Sequence, residues 1–562
     1  MFNGYFMKNL VKIFWLSELV LAMLIILGVA DATMAYISLF VLLLGVWKLS
    51  DLDALLLYIF SIPIFVALPS NFLSESMSVW RFAVLFFALK IFVEKFELLS
   101  ILKNKGLTLA DRKAEIISNF KVFFGDVKTS NYYGILYPTL LFGAVSFLSL
   151  IFAESLGVGI KKIIFLGSVF VLFGIVSFAV KNKNEAMKVL KAIFATGVGI
   201  MFVGYAQLAS TFFITLYDFW GLWNNYVIEA FYGERTMVLL SYSNTWFSYY
   251  DPDGDIPPTL RIFSVMPDSH SFSMLMILFA PLALFYFYAS KSKTDKRKNA
   301  LIFILLLLAI FFSGSRGAWV GWLGALAATL YFYFSPKLAK RFRILEIKDY
   351  VFNKKIYKTT LVAVMLFVVL FPVSSFVLRE NQDSQLIREG REVTGERRNS
   401  LLQRTLSISD MDETSNKGRI EIWRDSLVSV TQHPIVGIGM GNFPLALSEK
   451  VTTSKMGASA HNIYLDVAVE LGIVGLIIFL LLLFRLLEKL FLLTYKFQDR
   501  NLRFFAFSFL VFSLWIFTYG FFDVVILNDK VLMFFVIILA LFYKLENLEG
   551  KESFSGVEIK KS

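Results

Sequence analysis

Three histidines, His270, His433 and His461, are the only imidazoles in 562 residues. An ordinary imidazole titrates near pH ~6.5, so each is a candidate proton acceptor. His461 is the best placed. It opens the run His461-Asn462-Ile-Tyr-Leu-Asp466-Val-Ala-Val-Glu470-Leu-Gly472-Ile-Val-Gly475. The run puts a histidine where a helix enters an apolar layer, with small residues deeper in, where helices can approach closely. Asn462, Asp466 and Glu470 recur at i, i+4 and i+8 and form one polar stripe. Carboxylates facing lipid are costly, so the stripe should face a bundle interior or a wet cavity, either as structural support or as part of a site.

Two arginines stand in settings suited to anions. Arg316 lies in Ser313-Gly-Ser315-Arg316-Gly317-Ala318-Trp319, a glycine-rich break between two short apolar helices. Free helix N-terminal N–H groups and a guanidinium together favour an anion; the alternative is an arginine reaching to headgroups. Arg419 lies in Lys417-Gly418-Arg419-Ile-Glu421-Ile-Trp423-Arg424, ahead of His433-Pro434-Ile-Val-Gly437-Ile-Gly439-Met-Gly441-Asn442. Arg419 and Trp423 share a helical face, and the glycines allow the backbone to approach a ligand closely. Arg388, Arg391, Arg397, Arg398 and Arg404 accumulate nearby, as an anionic partner or a solvated helix near headgroups would require. Arg261 and His270 flank Met266-Pro267-Asp268 and are supporting candidates or plain helix-start residues.

The elements that must position these side chains are membrane spans. The chain is 57% hydrophobic and 17% charged, with a mean hydropathy of +0.67. That excludes an ordinary soluble domain, disorder and a collagen-like chain. Cys is 0, which rules out a disulfide scaffold and thiol chemistry. The excess of 55 basic over 43 acidic residues reports topology and lipid contact here and gives no reason to invoke nucleic acid. Apolar runs centred near Ala22, Phe40, Ile62, Phe86, Phe142, Val171, Val203, Phe279, Ile304, Ala327, Met365, Gly475, Phe512 and Ile538 predict an all-α polytopic membrane protein of about fourteen spans. Basic segments beginning at Lys95, Lys181, Lys291, Lys337, Arg485 and Lys544 then share one face, cytoplasmic by the positive-inside rule. No cleavable signal peptide is expected, since the first apolar run continues as a span.

The expected organisation is N-terminal spans over 1–93, a cytoplasmic amphipathic segment over 94–133, spans over 134–217 and a first outer loop over 218–270. Spans over 271–378, a large outer loop over 379–461, spans over 462–544 and a cytoplasmic tail over 545–562 follow. In the first loop Trp220, Trp223, Val227 and Phe231 recur on one helical face, for anchoring in the interface or for stacking on a sugar. Asp251-Pro-Asp253-Gly-Asp255 departs from calcium-loop spacing and reads as a turn.

Taken in order, the Ser315 to Ala318 segment, Gly418-Arg419-x-x-x-Trp423, Pro434-x-x-Gly437-x-Gly439 and His461-Asn462-x9-Gly472-x-x-Gly475 resemble the O-antigen ligase and O-antigen polymerase superfamily. The likeness runs from about Arg261 to Phe484. It implies transfer of a glycan from an undecaprenyl diphosphate donor to a hydroxyl on a glycan, lipid or protein, in cell-surface polysaccharide biosynthesis. It also implies the outer face of the bacterial inner membrane and chemistry without a metal or cofactor. By the same resemblance His461 is the catalytic histidine, and Arg316 and Arg419 bind the donor diphosphate. The sequence departs in its larger span count and in Asp268-Ser269-His270 after Pro267, where many relatives carry Pro-Asn.

Residue chemistry agrees. Departure of a diphosphate calls for bidentate cations, and an acceptor hydroxyl calls for a base near neutrality. The lipid tail should enter between spans, and the large loop should cover the sugar end. Inversion follows from a single displacement, as no nucleophilic carboxylate pair is evident. A ligase-like role is slightly preferred to a polymerase. The competing class is a lipid-linked oligosaccharide flippase or other transporter, which should concentrate polar residues at the bilayer midplane rather than at helix ends.

Overall fold

The computed structural model describes residues 9–69, 78–95, 133–241, 246–248, 258–334, 347–390, 400–410, 414–448 and 459–558. Most of the amphipathic 94–133 segment, the Asp251 to Asp255 turn, Arg391, Arg397 and Arg398 lie outside them.

Helices dominate. In chain order they are α1 Asn9–Ile26, α2 Met34–Lys48, α3 Asp51–Ser61, α4 Val79–Lys95, α5 Tyr133–Leu148, α6 Leu156–Ala179 and α7 Lys183–Ser210. The short α8 Leu216–Leu222, α9 Glu229–Tyr232 and α10 Glu234–Ser241 precede a two-stranded antiparallel pair, β1 Phe247–Ser248 and β2 Thr259–Leu260. Then come α11 Ser269–Ala289, α12 Lys293–Phe312, α13 Arg316–Phe334, α14 Ile347–Val369, α15 Phe371–Arg388, α16 Ser400–Leu406 and α17 Thr414–Gln432. The chain closes with α18 Ile463–Lys496, α19 Arg500–Tyr519 and α20 Asp529–Glu558. Among the described residues ten helical stretches are long and apolar enough to cross a bilayer. All the expected span centres fall on helices, or for Ile62 on the 3-10 turn extending α3, but α3 itself has 11 residues, too few to span alone. The protein is an all-α, multi-pass membrane protein.

Contacts divide the chain into two compact units. One comprises residues 1–143, 161–193 and 532–562. Its α3 starts at Ser50, whose hydroxyl accepts from the Asp53 N–H at 3.3 Å. Buried Lys90 of α4 donates to the Leu49 carbonyl at 2.6 Å and pairs with Asp51 at 3.1 Å, so its charge is compensated.

The other unit, residues 144–160 and 194–531, holds every candidate site residue. α11 is buried almost throughout from Ser269 to Phe285, and Asp268 caps it by accepting from the Ser271 N–H at 2.7 Å and its hydroxyl at 2.9 Å. α13 lays Gly317, Gly321 and Gly324 against α19. A Cβ at Gly317 would sit 2.6 Å from the Tyr519 ring, and one at Gly324 2.0 Å from the Thr518 hydroxyl. This row lets the two backbones approach, and Trp515 seals the contact by donating to the Ala318 carbonyl at 2.6 Å.

The first loop departs from the expected amphipathic face. Trp223 stacks on Phe219 at 5.6 Å and meets Phe263 edge-on, while Phe231 is buried. A π-helical turn over Trp223–Ile228 shifts the register, leaving Tyr217, Leu222 and Tyr226 exposed instead. Arg485 also departs: α18 continues past it to Lys496.

Candidate active site

Four helix ends meet at one end of the second unit. His270 begins α11, Arg316 begins α13, His461 precedes α18 and Tyr519 ends α19. Contacts tie the ends together: the Ser315 and Tyr519 hydroxyls are 2.5 Å apart, and the Ile463 N–H donates to the Gly520 carbonyl at 2.9 Å. His461 and Arg316 therefore lie at the same end of the bundle.

The centre of this cluster is Asp523, in the short connection after α19. It is buried, with one carboxylate oxygen 3.2 Å from His270 Nδ1 and the other 3.8 Å from His461 Nδ1. Burial alone would raise this carboxyl, but His270, His461 and the Arg419 guanidinium outweigh it and hold it below the usual carboxylate range. His270 is fixed on every side. Nδ1 also meets the Ser315 hydroxyl at 3.0 Å and the Tyr519 hydroxyl at 2.9 Å, and Nε2 faces Arg261 Nη2 at 3.1 Å. Arg261 is held in turn by donating Nε–H to the Ser313 carbonyl at 3.0 Å. His461 differs: about a third of its side chain remains exposed, and Nδ1 has no hydrogen-bond partner. It is the histidine free to meet a substrate.

The turn bearing His461 is held against its own preference. The residue has φ of 47°, a left-handed conformation costing roughly 1–2 kcal/mol for a side chain other than glycine. Neighbouring bonds enforce it. The Ala460 N–H donates to Asp466 Oδ1 at 2.6 Å, and Asn462 caps α18 by accepting from the N–H groups of Tyr464 and Leu465 at 3.0 and 3.2 Å. Asn462, Asp466 and Glu470 are all buried, as the stripe required. The first two support the turn.

The glycine motifs supply the scaffold beneath. α18 breaks at Gly472, with φ of 67° and ψ of −172°. The carbonyls of Val469 and Glu470, freed by the break, accept from the Ile438 and Gly439 N–H groups, both at 3.0 Å. The Ile473 N–H reaches the Pro434 carbonyl at 2.8 Å. A Cβ at Gly472 would lie 2.3 Å from the Ile435 carbonyl oxygen, and one at Gly437 2.4 Å from that of Val469. The Pro434 to Gly439 loop is thus a backbone patch on the broken helix. Asn442 extends it by accepting from the Ser155 N–H at 2.8 Å.

Of the arginines, Arg316 is buried and donates Nη1 to the Ser407 hydroxyl at 2.9 Å and carbonyl at 3.2 Å, tying α13 to the turn after α16. Arg404 donates to the Gly314 carbonyl at 3.2 Å and Arg388 to the Phe212 carbonyl, so both described members of the arginine cluster bond to the backbone. Arg419 is partly buried near the start of α17 and acts electrostatically on Asp523. Trp423, one turn on, donates its indole N–H to the Ala460 carbonyl at 2.8 Å, next to His461. His433 is exposed and stands outside this cluster. Sequence reasoning missed Asp523 and Tyr519. The available signal was a lone carboxylate in the short connection following an apolar span. Among the described residues no group of three or more His, Cys, Asp or Glu side chains is arranged to hold a metal ion.

No curated protein matches the chain. A family model does: Wzy_C, described as O-antigen ligase, matches residues 301–480, from α12 through α17 into α18 and including Arg316, Arg419 and His461. Residues 301–480 thus carry a segment that matches the O-antigen ligase family, within a multi-pass membrane protein.

Proposed function

We propose that the chain transfers a glycan from an undecaprenyl diphosphate donor to a hydroxyl acceptor, by one displacement at the anomeric carbon, on the outer face of the bacterial inner membrane. The observation carrying this reading is the pairing of a partly exposed His461 with a buried Asp523. The acceptor O–H gives its proton to His461 Nε2 as its oxygen bonds to the anomeric carbon. The bond from that carbon to the diphosphate oxygen breaks, the electron pair leaves with polyprenyl diphosphate, and the configuration inverts. Asp523, 3.8 Å from Nδ1, stabilises the imidazolium electrostatically. Arg316 and Arg419 bind the departing diphosphate, and their delocalised charge suits its oxygens better than an ammonium would. His270 holds the carboxylate in place, and Arg261 holds His270. No step is assigned to a metal or cofactor.

We read the reaction as ligase-like, with one glycan block moved to a glycan, lipid or protein hydroxyl, in preference to polymerase-type growth. The clustering of charged groups at helix ends supports transfer over transport by a flippase. The test is reconstitution with a defined lipid-linked glycan. One block on a new acceptor indicates a ligase, a ladder indicates a polymerase, and movement of intact donor without product indicates a transporter. His461→Ala, Arg316→Ala and Arg419→Ala should each abolish product in folded protein; near-normal product from all three overturns the assignment.

A further inference from the structure

α17 has two faces. Ile422, Ser426 and Ser429 are buried, Ile422 within a cluster that includes Phe443, Ala460 and Val469. On the other side Ile420, Trp423, Arg424, Leu427, Val428 and Thr431 line an open groove of about 430 Å³. Ile420, Leu427 and Val428 are 45%, 55% and 48% exposed, an apolar stripe that water does not favour. From Ile420 to Thr431 it runs roughly 16 Å at 1.5 Å per residue.

The ends of the stripe identify its occupant. At one end Arg419 immediately precedes Ile420, and Trp423 bonds to Ala460 beside His461. At the other, the chain continues to Ile435, which is 68% exposed, where the Pro434 carbonyl accepts from the Ile473 N–H at the break in α18. From there Ile473, Val474 and Ile477 are exposed along a helix apolar enough to lie in lipid. The groove, with Arg424 and Thr431 among its lining residues, therefore starts at the cationic, histidine-bearing end, and the chain after it brings Ile435 to the exposed apolar residues of α18.

We propose that this groove holds the polyprenyl chain of the donor, with the diphosphate at the Arg419 end and the chain passing into the bilayer by Ile435. The proposal rests on the transferase reading and adds the subsite for the lipid: the chain follows the loop helix instead of entering between spans. The test uses the full chain in detergent with two donors carrying the same glycan, one on a long polyprenyl diphosphate and one on a short, water-soluble isoprenyl diphosphate. Leu427→Asn and Val428→Asn, both at exposed positions, should raise the ratio of long-donor to short-donor KM about tenfold. Leu301→Asn, a similarly exposed apolar position on α12, should keep the wild-type ratio. An unchanged ratio in the α17 variants, including an equal loss with both donors, overturns the groove assignment. Wild-type protein that transfers from neither donor refutes the transferase reading instead.

Discussion

A base that must accept a proton and then carry a positive charge is only as good as the group behind it. Behind His461 stands Asp523, held by His270, which Arg261 and Tyr519 fix in turn. Removing the imidazole with His461→Ala is expected to lower kcat by roughly two to four orders of magnitude. Asp523→Asn keeps the shape but loses the charge, so kcat should fall by roughly two orders of magnitude with little change in donor KM; initial rates over a donor series separate the two. The same carboxylate gives a stability expectation. Its folded-state pKa is depressed, so its contribution is in place above the ordinary carboxylate pKa and is lost as pH falls below it. Thermal unfolding in detergent between pH 5 and pH 3 should show a steeper acid loss for wild type than for Asp523→Asn. At this scale His461 and Arg316 were picked out as candidates because charged and titratable types are few at the ends of apolar runs. Asp523 was not, because its meaning comes from two histidines far away in the chain.

Two elements in the second unit are bound to each other by their breaks. The α18 break at Gly472 releases two carbonyls, and the Pro434 to Gly439 loop returns two N–H donors to them. Gly472→Ala forces a left-handed residue, costing roughly 1–2 kcal/mol, and drives its Cβ into the Ile435 carbonyl. A clear fall in the unfolding temperature in detergent is expected. Gly167→Ala, inside α6 where nothing lies within 4 Å, should instead be neutral or stabilise by up to about 1 kcal/mol. The sequence marks these glycines as permissive backbone, and a ligand-binding loop was one reading of them. Only the fold pairs them across the break, because a backbone hydrogen bond between distant segments leaves no pattern in side-chain order.

Across the whole molecule, charge and chemistry separate to opposite ends of the second unit. His270, His461, Asp523 and Arg316 gather at one end of the bundle. Lys296, Lys355 and Arg500 meet around Tyr288 and Asn501 at the other, as a cytoplasmic face would predict. Because the chain has no cysteine, a single introduced thiol reports its own position. In intact cells Phe521→Cys and His433→Cys should react with a membrane-impermeant maleimide, while Lys293→Cys should react only after permeabilisation; all three positions are exposed. Labelling of Lys293→Cys alone would reverse the proposed orientation.

The sequence alone determined the material of this protein. Long apolar runs can satisfy their backbones in lipid only as helices, so the spans follow from composition and length, and the polar residues that interrupt them at their ends stand out as candidates. It did not determine which of those candidates share a space. Tertiary structure brought Tyr519 and Asp523 to His270 and His461, made a scaffold of the glycine loop, and turned an apolar stripe of α17 outward. Each of those outcomes depends on hydrogen bonds and close approaches between segments distant in the chain, whose energies local periodicity does not encode.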